Sequence, residues 1–357
     1  MKRIAILATA VILIGCFLGG CGFWMTGDYL SVTPHEADSE IDNEAVVQVS
    51  SYAQLCSALI EMVNNCTQNG IIYVTSFSDA TVDYYVNAAI NHVKTSTPIG
   101  AYAVDDITYE IGINRGASLV ALDIDYRHSR ADILEMQHVR NNEELMDAVT
   151  KALEANEAYV AVHTESYQTV DFTQFIQKYA NEHPDLVMEI PKVGCIVYPK
   201  RGRERIVELS FSYLNDRDSL QEMQRRVAEV FTSAELYVKE TTQVKDIYSR
   251  LYSFLMERDE YNLETSITPA YSLLQHGVGD SRAFANVYAA MCRNAGLDCV
   301  VVSGTRDAQP WCWNLVRFRG KYYHVDLLRC SEKDKFEMLS AEEMSGYVWD
   351  YSAYPES

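Results

Sequence analysis

Neither CxxC nor HExxH spacing occurs anywhere in this sequence, so a zinc site has little support and no cofactor is expected. The cysteines do not supply a disulfide framework either. Seven lie beyond Cys21, namely Cys56, Cys66, Cys195, Cys292, Cys299, Cys312 and Cys330, and an odd number forbids complete internal pairing. Cys56 and Cys66 fall in one helical stretch, where ten residues at about 1.5 Å each hold them about 15 Å apart, beyond the roughly 4.4–6.8 Å that a disulfide spans. Positive charge is scarce as well. Thirty Lys and Arg face 50 Asp and Glu, a net charge of −20, of which −15 lies in residues 1–225 and −5 in residues 226–357. A nucleic-acid partner is excluded on that ground, because binding phosphates needs a basic surface.

What the sequence does hold is apolar residue. At 357 residues and 48% hydrophobic content it can bury cores in two or three domains of roughly 100–200 residues each. The first stretch, MKRIAILATAVILIGCFLGGC, places Lys2 and Arg3 before an apolar run from Ile4 to Leu18 and then small residues, the layout of an export signal. Leu18-Gly19-Gly20-Cys21 resembles a bacterial lipobox, which implies cleavage before Cys21 and lipid on its thiol. Leu13-Ile14-Gly15-Cys16 fits the same pattern but would leave an apolar Phe17-Leu18 tail, which favours Cys21. The expectation is a signal over residues 1–20, a lipid anchor at Cys21 in the bacterial cell membrane on its outer face, and a polar, acidic tether over residues 21–45.

After the tether the sequence repeats. VSSYAQLCSAL at 49–59 matches VRNNEELMDAV at 139–149, an offset of 90; TVDYY at 81 matches TVDFT at 169, an offset of 88; LVALDIDYRHSRADILEMQ at 119 matches IVELSFSYLNDRDSLQEMQ at 206, an offset of 87. Three matches in one order at nearly one offset predict tandem α/β modules over 46–137 and 138–225. Each opens with a helical pattern, Leu55, Leu59 and Met62 in the first and Leu145, Val149 and Leu153 in the second, followed by a buried strand (GIIYVTS or AYVAVHT) and a second helix. Strand pairs close each module, ITYEIGI with SLVALDIDY and LVMEI with RIVELSFSY. From Arg226 the pattern changes to long helices and then to CVVVSGT, WCWNLVRFRG and KYYHVDLL, three strands with Gly320 in a hairpin. The fold class predicted for the whole is α+β.

Between those helices and strands lies HGVGDSRAFANVYAAMC, residues 276–292, a glycine turn running into a helix. With CVVVSG and WCWNLVRFRGKYYHVDL after it, the stretch from Val244 to Leu328 resembles the transglutaminase-like family, whose fold is related to papain-type cysteine proteases. The resemblance implies a transglutaminase-like domain over 226–357. It also implies a site: family members carry a cysteine at the helix start, a His-x-Trp-Asn segment, and an aspartate after an aromatic strand. The thiolate is favoured by the helix N-terminus, the histidine moves the proton, and the aspartate orients the imidazole. Here those places hold Ser281, Trp311 and Asp326. A serine hydroxyl is far less acidic than a thiol and needs a base, and an indole nitrogen only donates.

The residues therefore point to a triad that has lost its nucleophile and its base. Ser281 with Asp280 beside it reads as the cap of the helix RAFANVYAAMCRNA, which ends at Gly296. Trp311 and Trp313, two apart on a strand, share a face and are candidates to fill the former cleft or to bind ligand. Asp326 is left to accept a neighbouring amide or indole. A rescue would need His324, two residues before Asp326, to reach Ser281. Cys312 alternates away from Trp311 and is a poorer nucleophile candidate, and His276 in the turn has no spacing argument. Three functions follow: a lipid-anchored binding protein with a degenerate transglutaminase-like domain, taking peptide, cell-wall glycan or protein; a weak serine hydrolase or acyl-transfer enzyme through Ser281, His324 and Asp326; or a structural spacer at the cell surface. The first is favoured.

Overall fold

Residues 47–114, 117–257, 260–261 and 268–357 are described by a computed structural model; the signal, Cys16, Cys21 and the tether lie outside them. The first elements are β1 (Val47–Val49), α1 (Tyr52–Asn64), β2 (Asn69–Val74), α2 (Asp79–Ser96), α3 (Pro98–Ala103), β3 (Val104–Asn114), β4 (Ala117–Tyr126) and a short α4 (Arg130–Leu134). The Ser51 hydroxyl accepts the Gln54 amide and starts α1, whose Leu55, Leu59 and Met62 recur at helical spacing and are buried. Each fully buried leucine contributes about 1.5–3 kcal/mol. The helix ends before Cys66, which sits two residues beyond it with φ of 53°, so Cys56 and Cys66 do not share a helix as their spacing suggested.

Then come β5 (Gln137–Val139), α5 (Asn142–Glu154), β6 (Tyr159–Thr164), α6 (Phe172–Glu182), β7 (Lys192–Tyr198) and β8 (Arg205–Ser212). Asn141 caps α5 through the Glu144 amide, and Leu145, Val149 and Leu153 form its buried stripe. The two four-stranded sheets have matching orders, β1-β2-β4-β3 and β5-β6-β8-β7, each with one parallel pair and two antiparallel pairs. Each packs its own helices over its own core. A third apolar cluster, Tyr102, Ile133, Met136 and Ile206 among its members, joins the two sheets, and the Tyr102 and Tyr159 hydroxyls bond to each other at 2.5 Å.

LVMEI is not a strand. Val187 and Met188 plug the core, and the buried Glu189 accepts the Leu214 and Asn215 amides, work an extended edge strand could not do; the strand begins after Pro191. Position 225, read as a module boundary, falls inside α7 (Arg217–Val238). The remaining elements are α8 (Val244–Met256), β9 (Glu260–Tyr261), α9 (Pro269–His276), β10 (Val278–Gly279), α10 (Ser281–Asn294), β11 (Cys299–Arg306), β12 (Gln309–Phe318), β13 (Lys321–Val325), α11 (Leu327–Glu332) and β14 (Tyr347–Trp349). A third sheet runs β13-β12-β11-β14, and α10 packs on β12. The β12–β13 hairpin turns on Arg319 and Gly320, both at positive φ (53° and 79°), the twist-matched two-residue turn that favours glycine. The fold is α+β. No helix among the described residues is long and apolar enough to cross a membrane.

Candidate functional site

The glycine turn is built for close approach. Gly277, at φ of 71°, ends α9, and a Cβ on Gly279 would stand 3.0 Å from Ala283 Cβ and 3.1 Å from Leu273 Cβ. Asp280 caps α10, its carboxylate accepting the Ala283 amide at 2.8 Å. Ser281 is therefore the first helical residue and not the cap its sequence position suggested, because the extended backbone belongs to Asp280. Its Oγ is free to accept a different donor, the backbone N–H of Cys312 in β12, at 3.2 Å. The hydroxyl thus ties the start of the helix to the middle of the sheet, and Ser281 is buried.

Strand alternation sorts the next residues. Asn314 faces α10 and donates to the Ala285 carbonyl at 2.9 Å, while Trp313 and Leu315 face the other way, into a cluster with Val302, Tyr347 and Trp349. Trp313 is 1% exposed and meets Tyr347 and Trp349 edge to face, at 5.2 and 5.6 Å. This corrects its reading as a ligand platform: no surface of the ring is left for a ligand. Trp311 is half-buried, and its indole N–H donates to Asp326 Oδ2 at 2.9 Å. The N–H that Asp326 receives here comes from a group that cannot accept a proton.

Asp326 is the centre of this network. Its Oδ1 accepts the Leu328 and Arg329 amides at 3.1 and 3.3 Å and so starts α11, and its Oδ2 takes both Trp311 and the Tyr347 hydroxyl. Arg306 stands 3.6 Å from the same oxygen and lies over the Trp311 ring at 5.3 Å. Burial, and then the carboxylate, push the Tyr347 phenol well above its ordinary range, so it stays a donor. Arg306 and Tyr347 escaped the sequence reading. They lie 20 residues before and 21 after Asp326, and only the Arg306–Tyr347 pairing of β11 with β14 brings them together.

His324 does not reach Ser281, which removes the rescue base and with it the Ser281–His324–Asp326 arrangement. The strand ends at Val325 and the chain turns into α11 at Asp326, so the two-residue alternation that would put His324 and Asp326 on one face is broken. His324 points into the Trp313 cluster instead. Its Nδ1 accepts the Trp313 indole N–H at 2.9 Å, which leaves the proton on Nε2, 2.8 Å from the Ser357 hydroxyl. Burial lowers its pKa from an ordinary 6.5 to about 4. Between those values the unfolded chain takes up a proton that the folded ring refuses, so this contribution to stability is intact above pH about 6.5 and is lost as pH falls toward 4. The total is about 3 kcal/mol. Urea unfolding should show wild type losing stability relative to His324→Gln between pH 7 and pH 4.5; parallel pH profiles would show that the ring titrates normally.

The side chains of the other candidates make no hydrogen bond to Ser281 or Asp326 among the described residues. Cys312 is buried, its Sγ 3.6 Å from Ser303 Oγ, and the seven described cysteines are unpaired. His276 closes α9 and stands edge-on to Tyr271. Among the described residues no cluster of three or more His, Cys, Asp or Glu is arranged to hold a metal. The crevice among Ser281, Phe284, Ala285, Cys312, Asp326 and Leu327 has no room for a water molecule. Space exists elsewhere: a groove of about 1000 Å³ lies between α6 and the pair α10 and β11.

Residues 232–327 match the transglutaminase-like superfamily. No curated protein matches the sequence. Solved structures similar to parts of the chain include a TGase (10% identity, TM-score 0.27, covering 54% of this chain and 59% of that one). A second is a cysteine-protease candidate from Cytophaga hutchinsonii (11% identity, TM-score 0.27, 44% and 70%). A third is a protease candidate from Parabacteroides distasonis (9% identity, TM-score 0.24, 72% and 40%). TM-scores this low are no basis for assigning an activity.

Proposed function

We propose, for a chain whose residues 232–327 belong to the transglutaminase-like superfamily, that it is a lipid-anchored, non-catalytic binding protein of the bacterial cell surface. One observation carries the reading: the Trp311 indole donates to Asp326 where a catalytic imidazole would, so the site has an orienting aspartate and nothing for it to orient. Ser281 Oγ accepts a backbone amide, and His324, the imidazole proposed to rescue it, is committed to Trp313. A hydroxyl with no base is not a nucleophile at neutral pH.

Residues 46–137 and 138–225 are, in this reading, duplicates of one module, as their matching strand orders and sequence offsets suggest. They carry the terminal domain away from the membrane and contribute one wall of its binding groove. The ligand is a peptide, a cell-wall glycan or a protein.

Two experiments test the proposal. The purified chain, offered amine and glutamine donors or amide esters, should turn over none of them above a heat-denatured control, and a fluorophosphonate should leave Ser281 unlabelled; turnover abolished by Ser281→Ala would overturn the reading. For the anchor, wild type expressed in a bacterium should take up labelled fatty acid and sediment with membranes, and Cys21→Ala should lose the label. Undiminished labelling of the variant would move the lipid to Cys16 or elsewhere.

A further inference from the structure

We infer that the groove between α6 and the pair α10 and β11 binds an extended peptide bearing a carboxylate, which adds as a strand to the open edge of β11. The inference rests on the binding reading above and names the ligand class.

The edge is the first observation. β11 pairs with β12 along Cys299–Arg306, but on its other side β14 covers only Gly304–Arg306. The next outward group, the Ser303 N–H, is taken by the Tyr354 hydroxyl at 3.0 Å, and this fixes the direction of the strand: residues 299, 301 and 303 present their backbone N–H and C=O away from β12. The groups of Cys299 and Val301 therefore face the groove. Val300 and Val301 point their side chains to opposite faces of the sheet, yet both line the groove, so it opens on the strand's edge and not on one face. Exposed edges of this kind accept extended chains, main-chain hydrogen bonds supplying affinity and alternate side-chain pockets supplying selectivity.

The facing wall supplies the second. Gln174, Lys178 and Asn181 of α6 and Arg282 and Asn286 of α10 line the groove and offer amide and cationic donors to side chains of an added strand. Lys178 is paired with Glu182, and Arg293 with Asp185. Arg282 is exposed and has no ion-pair partner among the described residues. This exposed cation on an acidic chain of net −20 favours an occupant with a carboxylate near Arg282. A glycan would use the amides but would leave the β11 edge unpaired.

The test is selection of a displayed library of random decapeptides on the full chain in detergent. Selected peptides should be enriched in Asp or Glu and should bind at least 10-fold more weakly when alternate backbone amides are N-methylated, a change that leaves the protein untouched. Arg282→Glu should weaken them about 10-fold, Val301→Pro should weaken them at least as much, and hydrogen exchange at Cys299 and Val301 should slow when peptide is added. Peptides indifferent to N-methylation and to Arg282→Glu would overturn the inference. So would failure to select any peptide, and so would an N-acetylglucosamine tetramer that protects groove amides where peptides do not; in that last case the binding reading stands and only the ligand class falls. Turnover abolished by Ser281→Ala would instead remove the binding reading itself.

Discussion

Asp326→Ala should destabilise the protein by about 3–5 kcal/mol, the cost of breaking a buried, multiply bonded charge. Four donors converge on this carboxylate: the Trp311 indole, the Tyr347 hydroxyl, and the Leu328 and Arg329 amides, with Arg306 close by. Alanine satisfies none of them. The α11 cap is lost, an indole N–H and a phenol are left without their acceptor, and Arg306 loses its inner partner while keeping Glu332 at the surface. Asp326→Asn should cost less, about 1–3 kcal/mol, because one oxygen remains and the Tyr347 hydroxyl can rotate to accept from the new NH2. Trp311 cannot make that adjustment. Thermal or urea unfolding of the purified variants measures both. An Asp326→Ala variant within 1 kcal/mol of wild type would show that the network is ornamental and that Asp326 is not a structural clamp.

How much of this could be read from the sequence depends on whether the cause was local. The leucine stripes of α1 and α5 were legible, since a helix needs only its own spacing, whereas their caps at Ser51 and Asn141 were found only in the structure. The Arg319-Gly320 hairpin was legible for the same reason. The strands β1 and β5 were not: at three residues each they have no periodicity, and they exist because β2 and β6 offer them a parallel partner. At the site, residue identity was legible and direction was not. Ser281, Trp311 and Asp326 were found by their order, and the indole bond to Asp326 followed from what an indole can do. The orientation of His324 needed the end of β13, one residue before Asp326, and the roles of Arg306 and Tyr347 needed a strand pairing with no local signal.

Installing a cysteine at 281 and a histidine at 311 should not produce catalysis. In Ser281→Cys with Trp311→His, the new imidazole can donate a ring N–H to Asp326, its Nε2 corresponding to the indole Nε1, and the thiol sits in the first turn of α10, where the helix dipole favours its ionisation. Two of the three requirements are then met. The third is access. Position 281 is 9% exposed, its side chain is turned toward the Cys312 amide, and the crevice beside it does not admit a water molecule, far less an acyl donor. On the far face of the same strand Trp313 is locked between Tyr347, Trp349 and His324, which holds the sheet side of the crevice in place. The double variant should therefore show amine incorporation no faster than the uncatalysed reaction, missing the whole of the 10⁶-fold or greater acceleration that enzymes supply. Its thiol should react with iodoacetamide faster than the same thiol in Ser281→Cys alone, because exchanging indole for imidazole removes bulk beside Asp326. Slow alkylation in both variants would mean that the crevice is closed even to a small reagent. Acyl transfer by the double variant would mean that the crevice admits substrate after all.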